Sequence, residues 1–524
     1  MIDNLSQQQR MILAVVLSVL FFVVYDTYFM PKTKLNHEPN STKVSTSTTT
    51  KSTTTSNAPK VTNEVTKSVA TAPITNTSTL VSVNSKDFKI NIDEFGRISS
   101  YTLLGEKFKT KDGGYTNVID KSMKLKPLEI RFSDSVINSE AFTKPYKSEV
   151  KSVELKDEAV VKLTQELTNL TLTKIITFKK DGTYKVEVKL SKPVEFFITN
   201  GEHPIAEEDK FVFNGVIVEK SDDTLEKIED GDSDGVLSIS DAKYLASSDK
   251  YYTTVFYDFK KGLNVVVSTE NENPIPFVKA SQNITLNAYI GPKSYDKLEA
   301  IDPRLTNVIE YGFFTFISKP MFTFLKYIYS VVGNWGWTIV IATILIKLFL
   351  FPLTFKGMVS MNKMKELAPK MQELKEKYKG EPQKLNAKMM ELYKKHGANP
   401  MGGCLPMILQ IPVFFAIYRV LLNAFDLKQA SWMLWYDDLS VMDPYFVLPL
   451  LMGATMFWQQ HITPTNYTDP MQEKIMKFLP LIFTFFFITF PAGLTLYWFT
   501  NNLFTIAQQY YVNAIFAKQK VAKG

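Results

Sequence analysis

Cysteine and histidine are scarce in this chain, which has one cysteine, Cys404, and four histidines in 524 residues. A single cysteine excludes an intrachain disulfide framework. The four histidines stand in four separate regions, which disfavours a histidine-based metal or acid–base site. Walker A, G-x-S-x-G and H-E-x-x-H motifs are also missing. We therefore expect a protein that is not an enzyme, needs no cofactor and consumes no nucleotide.

Charge is distributed unevenly along the chain. Residues 31–305 are polar and often charged, whereas 310–516 contain long apolar runs. The net charge of +7 is modest for this length, and the lysines cluster beside the apolar runs. That arrangement is typical of membrane topology rather than of nucleic-acid binding. We predict a protein of the inner membrane that contacts the lipid bilayer and binds no nucleic acid directly.

The N-terminal region predicts an anchor and a tether. Residues 1–10 are predicted to lie in the cytoplasm, and the apolar run at 11–30 is long enough to cross about 30 Å of hydrocarbon. A cleaved signal peptide is the alternative, but the run is long and lacks a clear cleavage site. Thirteen of the sixteen residues from Ser41 to Ser56 are Ser or Thr, so 31–84 is predicted to be a periplasmic linker.

Residues 85–305 alternate polar and apolar side chains with a period of two. Apolar residues from Leu170 to Phe178 lead to an Asp181-Gly182 turn, and the alternation resumes from Tyr184 to Leu190. Alternation around Asp-Gly is a strong hairpin signal. We predict a large all-β sandwich domain on the periplasmic side.

An acidic turn in this region has the spacing of a calcium-binding loop. Its flanks are typical of strands rather than paired helices, so an acidic surface turn is the plainer interpretation and calcium a weak candidate. The residues concerned are Asp230, Asp232, Asp234 and Asp241.

The C-terminal half predicts an α-helical polytopic membrane bundle. An amphipathic helix at 306–332 is predicted to lie on the outer membrane surface, with packing against a domain as the alternative. Five spans are predicted within 335–516, which gives six with the anchor. They cover Trp335–Thr354, Cys404–Phe425, Tyr445–Trp458, Phe478–Phe490 and Leu494–Ile515.

The loops predict the orientation of these spans. Residues 356–400 contain eleven Lys against five Glu, whereas 426–443 contain one Lys against four Asp. The positive-inside rule places the lysine-rich loop and the basic tail, 517–524, in the cytoplasm. Both termini are then cytoplasmic and the β domain periplasmic.

Lys347 is the sharpest functional signal, because it lies about 18 Å into the first of these five spans at helical rise. A charge at the bilayer centre costs roughly 2.5–3.5 kcal/mol. Thr343 and Thr354 share its helix face. A lysine that reaches out to the headgroups is the alternative. Together with Gln410 and the polar side chains of the last span, Lys347 predicts a polar interior.

The cytoplasmic loop at 357–396 predicts a helical hairpin with a methionine-rich face. Such a face could receive varied apolar segments, because methionine adapts to many shapes. Packing between the two arms is the alternative. The methionines are Met361, Met364, Met371, Met389 and Met390.

Short motifs across these segments resemble the YidC/Oxa/Alb insertase family, in the form found in bacteria with two membranes. The resemblance covers 285–516 closely, and the N-terminal regions fit by position and type. The matching motifs stand at 289–293, 333–336, 351–354, 399–406, 410–412, 443–445, 468–472 and 490–493.

The resemblance implies a groove that is open to the cytoplasm and to lipid and closed on the outside. Lys347 stands where the family normally has Arg, and a lysine keeps the charge but lacks the planar fork that a bidentate contact needs. The resemblance also implies that the hairpin captures substrates. The groove residues it implies are Thr343, Lys347, Gln410, Tyr497 and Trp498.

We therefore expect a membrane protein insertase that receives nascent apolar segments and releases them laterally into the inner membrane. The resemblance implies as partners nascent inner-membrane proteins, the Sec translocon and the ribosome or signal-recognition machinery. A secondary transporter for a small solute is the first alternative, disfavoured because we expect no second ionisable residue within the spans to couple it to protons. An envelope scaffold that acts through the β domain is the second.

Overall fold

The computed structural model describes residues 77–521, apart from 111, 207–211, 399–404 and 464–469. The predicted N-terminus, the anchor at 11–30 and most of the linker lie outside these residues. The chain divides into two compact units, Met1–Val308 and Ile309–Gly524. The first contains the β-sandwich domain and the second contains the long helices, so the predicted combination of β domain and helical part is confirmed.

The β-sandwich domain contains three sheets among its described residues. Their strand orders are β4-β3-β2-β1-β7, β13-β12-β15-β16-β19-β10-β9-β8-β6 and β14-β17-β18-β11-β5. Period-two alternation sets the faces: Val161 and Leu163 are buried in β8, whereas Val160 and Lys162 are exposed. The strands are Thr79–Asn84 (β1), Phe88–Asp93 (β2), Ile98–Leu103 (β3), Asn117–Ile119 (β4), Ile130–Phe132 (β5), Lys147–Ser148 (β6), Ser152–Glu154 (β7), Glu158–Glu166 (β8), Thr171–Lys179 (β9), Thr183–Leu190 (β10), Phe196–Ile198 (β11), Gly215–Glu219 (β12), Leu225–Glu229 (β13), Leu237–Ala242 (β14), Tyr244–Ser248 (β15), Tyr252–Tyr257 (β16), Leu263–Glu270 (β17), Asn273–Ala280 (β18) and Ile284–Pro292 (β19).

The hairpin predicted around Asp181-Gly182 is confirmed. β9 and β10 pair antiparallel, with Phe178 opposite Tyr184. The Asp181 carboxylate accepts the backbone N–H of Thr183 at 2.8 Å, and Gly182 has φ +88. A residue without Cβ is favoured at that positive φ, which is why the Asp-Gly pair closes this turn.

The predicted linker boundary at 84 is wrong, because β1 occupies Thr79–Asn84 and pairs with β2. Val81 and Val83 are fully buried in this strand. Two short helices, Ser135–Ala141 (α1) and Tyr295–Ile301 (α2), interrupt the all-β pattern, and a 3-10 helix at Pro303–Val308 ends the unit.

The helical unit contains seven α-helices in the part of the chain that is described. They are Thr315–Val332 (α3), Trp335–Lys377 (α4), Pro382–His396 (α5), Leu405–Asn423 (α6), Val447–Ile462 (α7), Pro470–Phe487 (α8) and Ala492–Val521 (α9).

Helix α4 is long and unbroken. Its 43 residues run through Pro352 and Pro369, so the first predicted span and the first arm of the predicted hairpin are one helix. By length and composition, α4 is the one described helix long and apolar enough to cross a membrane. Shorter apolar stretches lie at Leu409–Asn423 and Met476–Phe487. The number of six spans therefore stays a prediction.

Helix α3 begins at Thr315, nine residues later than the predicted start at 306, after a 3-10 turn at Gly312–Phe314. One face packs on α6 and α4. Phe314 stacks on Phe415 with centroids 5.7 Å apart, and the Ser318 hydroxyl donates to the carbonyl oxygen of Ala416 at 3.4 Å. The opposite face is apolar and exposed, with Phe316, Tyr327 and Val331.

The acidic turn after β13 is not arranged around a metal ion. Asp230 forms an ion pair with His203, Asp232 and Asp234 are exposed, and Asp241 lies in β14. Among the described residues no group of three or more Asp, Glu, His or Cys side chains is placed to hold a metal. The calcium interpretation therefore has no support in the geometry.

The His203–Asp230 pair predicts a pH-dependent stability of the β domain. Burial alone would lower the pKa of His203, but the Asp230 carboxylate raises it from 6.5 to about 9. The pair's stabilisation is therefore complete below pH 6.5 and is lost as the pH rises through about 9. We expect the free energy of unfolding of the β domain to fall by at most about 3 kcal/mol over this pH range. His203→Gln should show no such fall. The measurement is hydrogen exchange of peptides around 199–206 and 225–237 in the full-length chain.

The matched control for His203→Gln is Asp232→Asn, which removes an exposed carboxylate from the same turn. It should keep the wild-type dependence on pH. An identical pH dependence in His203→Gln and the wild type would contradict the assignment.

Candidate functional site

A polar cluster surrounds Lys347 where α4, α6 and α9 meet. The ammonium group donates to the Thr505 hydroxyl at 3.0 Å and to the Gln410 side-chain oxygen at 3.3 Å. The Gln508 amide donates to the carbonyl oxygen of Lys347 at 3.4 Å. The structure therefore joins Lys347 and Gln410, as the sequence predicts, and adds Thr505 and Gln508.

The two acceptors at Lys347 are neutral oxygens. A lysine ammonium has three N–H donors, so these contacts leave one donor for a further acceptor. Hydrogen bonds with one charged partner contribute about 1.5–3 kcal/mol, comparable to the cost of placing the charge in an apolar environment. The cluster therefore holds a positive charge whose neutral partners do not cancel it.

Thr343 does not belong to the polar cluster. It is 2% exposed, and its hydroxyl donates to the carbonyl oxygen of Ile339 at 2.6 Å within α4. Such a bond to the preceding turn satisfies the hydroxyl inside its own helix. Thr343 therefore faces packed protein, although it shares a helix face with Lys347.

Tyr497 and Trp498 belong to an aromatic layer beside the polar cluster. Trp498 packs edge-on against Phe414 with centroids 4.7 Å apart, and also contacts Phe483 and Phe487. Tyr497 is 3% exposed and stacks on Phe414 at 6.5 Å. Phe414 lies one turn beyond Gln410 in α6, so the layer covers one end of the cluster.

A loop at 424–446, which we name the loop cap, lies beyond the aromatic layer. Its backbone accepts N–H groups from the start of α9: Gly493 donates to Leu439 at 2.9 Å and Ala492 to Val441 at 2.7 Å. Asn334, which caps α4, donates to the carbonyl oxygen of Trp432 at 3.3 Å. The loop cap therefore joins the ends of α4 and α9.

Asp443 organises the loop cap. Its carboxylate accepts the Tyr436 hydroxyl at 2.9 Å, the Trp435 indole N–H at 3.2 Å, and the backbone N–H groups of Tyr445 and Leu448 at 3.1 and 2.8 Å. Burial alone would raise the pKa of Asp443, but these donors hold it below its ordinary value. The acid is therefore ionised and holds the loop against the start of α7.

A second amide contact lies farther along α4 and α9. The Asn362 amide donates to the Asn513 side-chain oxygen at 2.9 Å, and Gln509 donates to the same oxygen at 2.8 Å. Fifteen residues separate Lys347 from Asn362, which is about 22 Å of helix. Polar contacts therefore continue along the α4–α9 interface, away from the loop cap.

Arg419 is a second cation in an apolar helix, and the sequence interpretation missed it. It lies nine residues after Gln410 in α6, which places it on the opposite face. It is 7% exposed, and a Cβ on Gly312, where φ is +70, would lie 3.2 Å from its Nε. Arg419 thus faces α3 rather than Lys347. A search for every charge within the apolar runs would have found it.

Most of the methionines predicted to capture substrates pack inside the hairpin. Met371 is buried with Leu367, Tyr393 and Ala398. The Tyr393 hydroxyl lies 3.4 Å from the Met371 sulfur. This arrangement fits the alternative interpretation, packing between α4 and α5. Met364 and Met389 pack against the same cluster, Met361 is half-buried and Met390 is 50% exposed.

Two protein-family models match the chain. One, described as the 60Kd inner membrane protein, matches residues 327–520, and the other, the YidC periplasmic domain, matches 81–324. A membrane protein insertase YidC of Campylobacter jejuni is 51% identical over 99% of this chain and 98% of its own length. A membrane protein insertase YidC of Wolinella succinogenes is 50% identical over 99% of this chain and 97% of its own length. A crystal structure of an active YidC insertase is 19% identical over 83% of this chain and 95% of that chain, with a TM-score of 0.37.

Gly336 tests the packing of the loop cap. A Cβ at this position would overlap the indole ring of Trp432. We expect Gly336→Ala to destabilise the helical unit by about 1–3 kcal/mol, as overpacked sites do. The measurement is thermal unfolding followed by tryptophan fluorescence, which reports this unit because all six tryptophans lie within 335–498.

Gly333→Asn is the matched control for Gly336→Ala. Gly333 has φ +69 with nothing within 4 Å of an added Cβ, and Asn tolerates that conformation. Its unfolding should stay close to that of the wild type. Equal unfolding temperatures for all three proteins would contradict the contact between Gly336 and Trp432.

Proposed function

The chain belongs to the family of YidC membrane protein insertases, and on that premise we propose that it carries nascent apolar segments into the inner membrane by way of the polar cluster around Lys347. The observation that carries the proposal is the uncancelled charge of Lys347, held by Gln410 and Thr505 between three helices. A translocating polar flank needs such a partner inside an otherwise apolar bundle.

Charge asymmetry supports an orientation for the helical unit. The hairpin region, 356–400, holds eleven Lys against five Glu, whereas the loop cap region at 426–443 holds one Lys against four Asp. The positive-inside rule then places the hairpin in the cytoplasm and the loop cap at the periplasmic surface. With six spans the β-sandwich domain is periplasmic, and the exposed apolar face of α3 lies on the outer leaflet.

The path of a substrate follows from this orientation. A nascent segment approaches along α4 and α9 from the cytoplasm, where the Asn362, Gln509 and Asn513 amides can replace hydration. Its polar flank exchanges water for Lys347 and the neighbouring oxygens. Each polar group that keeps a hydrogen-bond partner avoids the penalty of several kcal/mol for unpaired burial in hydrocarbon.

Lateral release follows from the apolar surface beside the cluster. Helix α8 exposes Phe478, Leu481, Ile482, Phe485 and Phe486. A segment of about 20 apolar residues can slide along such a surface into lipid, and its burial supplies the driving free energy. No nucleotide and no covalent chemistry are required. The Sec translocon and the ribosome, which the resemblance implies as partners, enter this scheme only as sources of the segment.

The closed outer end distinguishes an insertase from a solute transporter. A transporter needs an exit on both sides of the membrane, whereas the ring contacts of the aromatic layer and the hydrogen bonds of the loop cap at the end of the bundle beyond the polar cluster favour closure there. Arg419 corrects the expectation of a lone ionisable residue in the spans. It lies on the opposite face of α6 from Gln410, so it gives the cluster no second titratable group.

Photocrosslinking tests the path. A photoreactive residue at Gln410 or Thr505 should form adducts with nascent membrane proteins in membranes that are translating them, because both positions contact Lys347. The same residue at Phe316, which is exposed on the opposite side of α3, is the control and should give none. Adducts are detected by immunoprecipitation of the radiolabelled substrate. Their absence at both cluster positions, with normal expression, refutes the path.

The charge of Lys347 is tested by substitution. We expect Lys347→Met to slow the insertion of segments with polar flanks by roughly ten- to a hundredfold, which corresponds to the loss of a charge-assisted hydrogen bond. Lys347→Arg should retain most activity because the charge remains. The readout is protease protection of the inserted substrate in proteoliposomes.

Lys377→Met provides the matched control, since it makes the same chemical change at an exposed position outside the cluster. Insertion should then match the wild type. If Lys347→Met inserts substrates as well as Lys377→Met does, the charge has no part in the reaction.

A further inference from the structure

The positive charge of the hairpin is concentrated at its root. Residues 356–370 and 394–396, which we name the root, contain six lysines and one glutamate. Residues 371–391, which we name the tip, contain five lysines and four glutamates. Two of the four glutamates near the tip form ion pairs there, Glu381 with Lys384 and Glu391 with Lys388. The root therefore has a net charge of about +5, apart from histidine, and the tip is almost neutral.

The fold brings the lysines of the two arms together at the root. Lys356, Lys363 and Lys370 recur every seven residues, so they share one face of α4. The Lys363 ammonium donates to the carbonyl oxygen of Gly397 at 3.3 Å, and Lys370 contacts the His396 ring nitrogen at 3.2 Å. The last turn of α5, which carries Lys394 and Lys395, therefore lies beside this face.

The root lies close to the membrane in the proposed orientation. Because α4 is continuous, Lys356 is the first charged residue beyond Lys347, and Lys363 and Lys370 follow about 10 and 21 Å farther along the helix. The headgroup layer is about 5–8 Å thick on each side of the hydrocarbon. The electrostatic attraction of an anionic surface extends about 8 Å farther in physiological salt. The four-carbon stem of a lysine lets the more distant ammonium groups turn back toward the headgroups.

We propose that five of the six root lysines, Lys356, Lys363, Lys370, Lys394 and Lys395, form a collar that binds the phosphate groups of anionic phospholipids in the cytoplasmic leaflet. Lysines immediately cytoplasmic of a membrane helix attract such lipids. A nucleic acid would offer the same phosphate chemistry. The collar's place beside the hydrocarbon boundary, rather than at the distal tip, favours lipid. The inference depends on the orientation given under the proposed function.

The experiment compares lipids in proteoliposomes that contain the full-length protein. Phosphatidylglycerol or phosphatidylcholine with a photoactivatable group near the headgroup is crosslinked, and the labelled peptides are mapped. We expect phosphatidylglycerol to label the root at least fivefold more than phosphatidylcholine. The triple variant Lys356→Gln, Lys394→Gln, Lys395→Gln should reduce that labelling at least tenfold, and added salt should reduce it in the wild type.

A second triple variant, Lys375→Gln, Lys377→Gln, Lys379→Gln, is the matched control. It removes the same charge from the tip and should leave root labelling unchanged. Tryptophan fluorescence of both variants checks that the helical unit is folded. Equal labelling by the two lipids, or equal loss in the two variants, overturns the collar.

Three further outcomes distinguish lipid binding from nucleic-acid binding and from a wrong orientation. If the root variant keeps its lipid labelling but loses binding to ribosomal RNA, the partner is a nucleic acid and the proposal is wrong. If insertion in neutral liposomes is normal while lipid preference is missing, the collar fails and the proposed function stands. The third outcome concerns the leaflet on the side of the membrane where substrate is added. If neither lipid in that leaflet labels the hairpin, the proposed orientation is wrong.

Discussion

The positive charge of Lys347 is the constraint on which the helical unit depends. An ammonium group in an apolar helix must find oxygen atoms, and here they come from Gln410 in α6 and Thr505 in α9. Each contact fixes the rotation of one helix about its own axis. The polar cluster is therefore both the functional candidate and a determinant of how three helices pack.

Helix α6 illustrates how one apolar helix can serve two environments. Gln410 faces Lys347, while Arg419, on the opposite face, approaches Gly312 at the entry to α3. The N–H of Gly312 also donates to the carboxylate of Glu310 at 2.6 Å, so opposite charges converge on this glycine. Charge near the C-terminal end of α6 thus holds α3, and Gln410, nearer its N-terminal end, belongs to the polar cluster.

The pattern of the sequence was sufficient for features that depend on local chemistry. The Asp-Gly turn predicts the β9–β10 hairpin because a positive φ requires such residues. The position of Lys347 in an apolar run predicts a polar partner, and Gln410 is that partner. Both inferences need only the neighbouring residues and the cost of a buried charge.

Features that depend on the relative positions of helices could not be predicted in this way. Thr505 lies in the cluster because of how α9 is placed along α4, which no local pattern specifies. The methionine spacing is equally compatible with packing between arms and with an open face, and Met371 is buried between the arms. Strand β1 was missed in the sequence for another reason. Its Ser and Thr residues continue the composition of the linker, although Val81 and Val83 alternate with a period of two.

Because α4 is continuous, a tilt at one end of the helix displaces its other end. Thirty residues, or about 45 Å of helix, separate Lys347 from the hairpin turn at Lys377, and the helix does not break at Pro352 or Pro369. A tilt of about 10° around the cluster would displace the hairpin tip by about 8 Å. Under the proposed function, a substrate that exchanges hydrogen bonds with Lys347 would thereby change the angle between the hairpin and the rest of the helical unit.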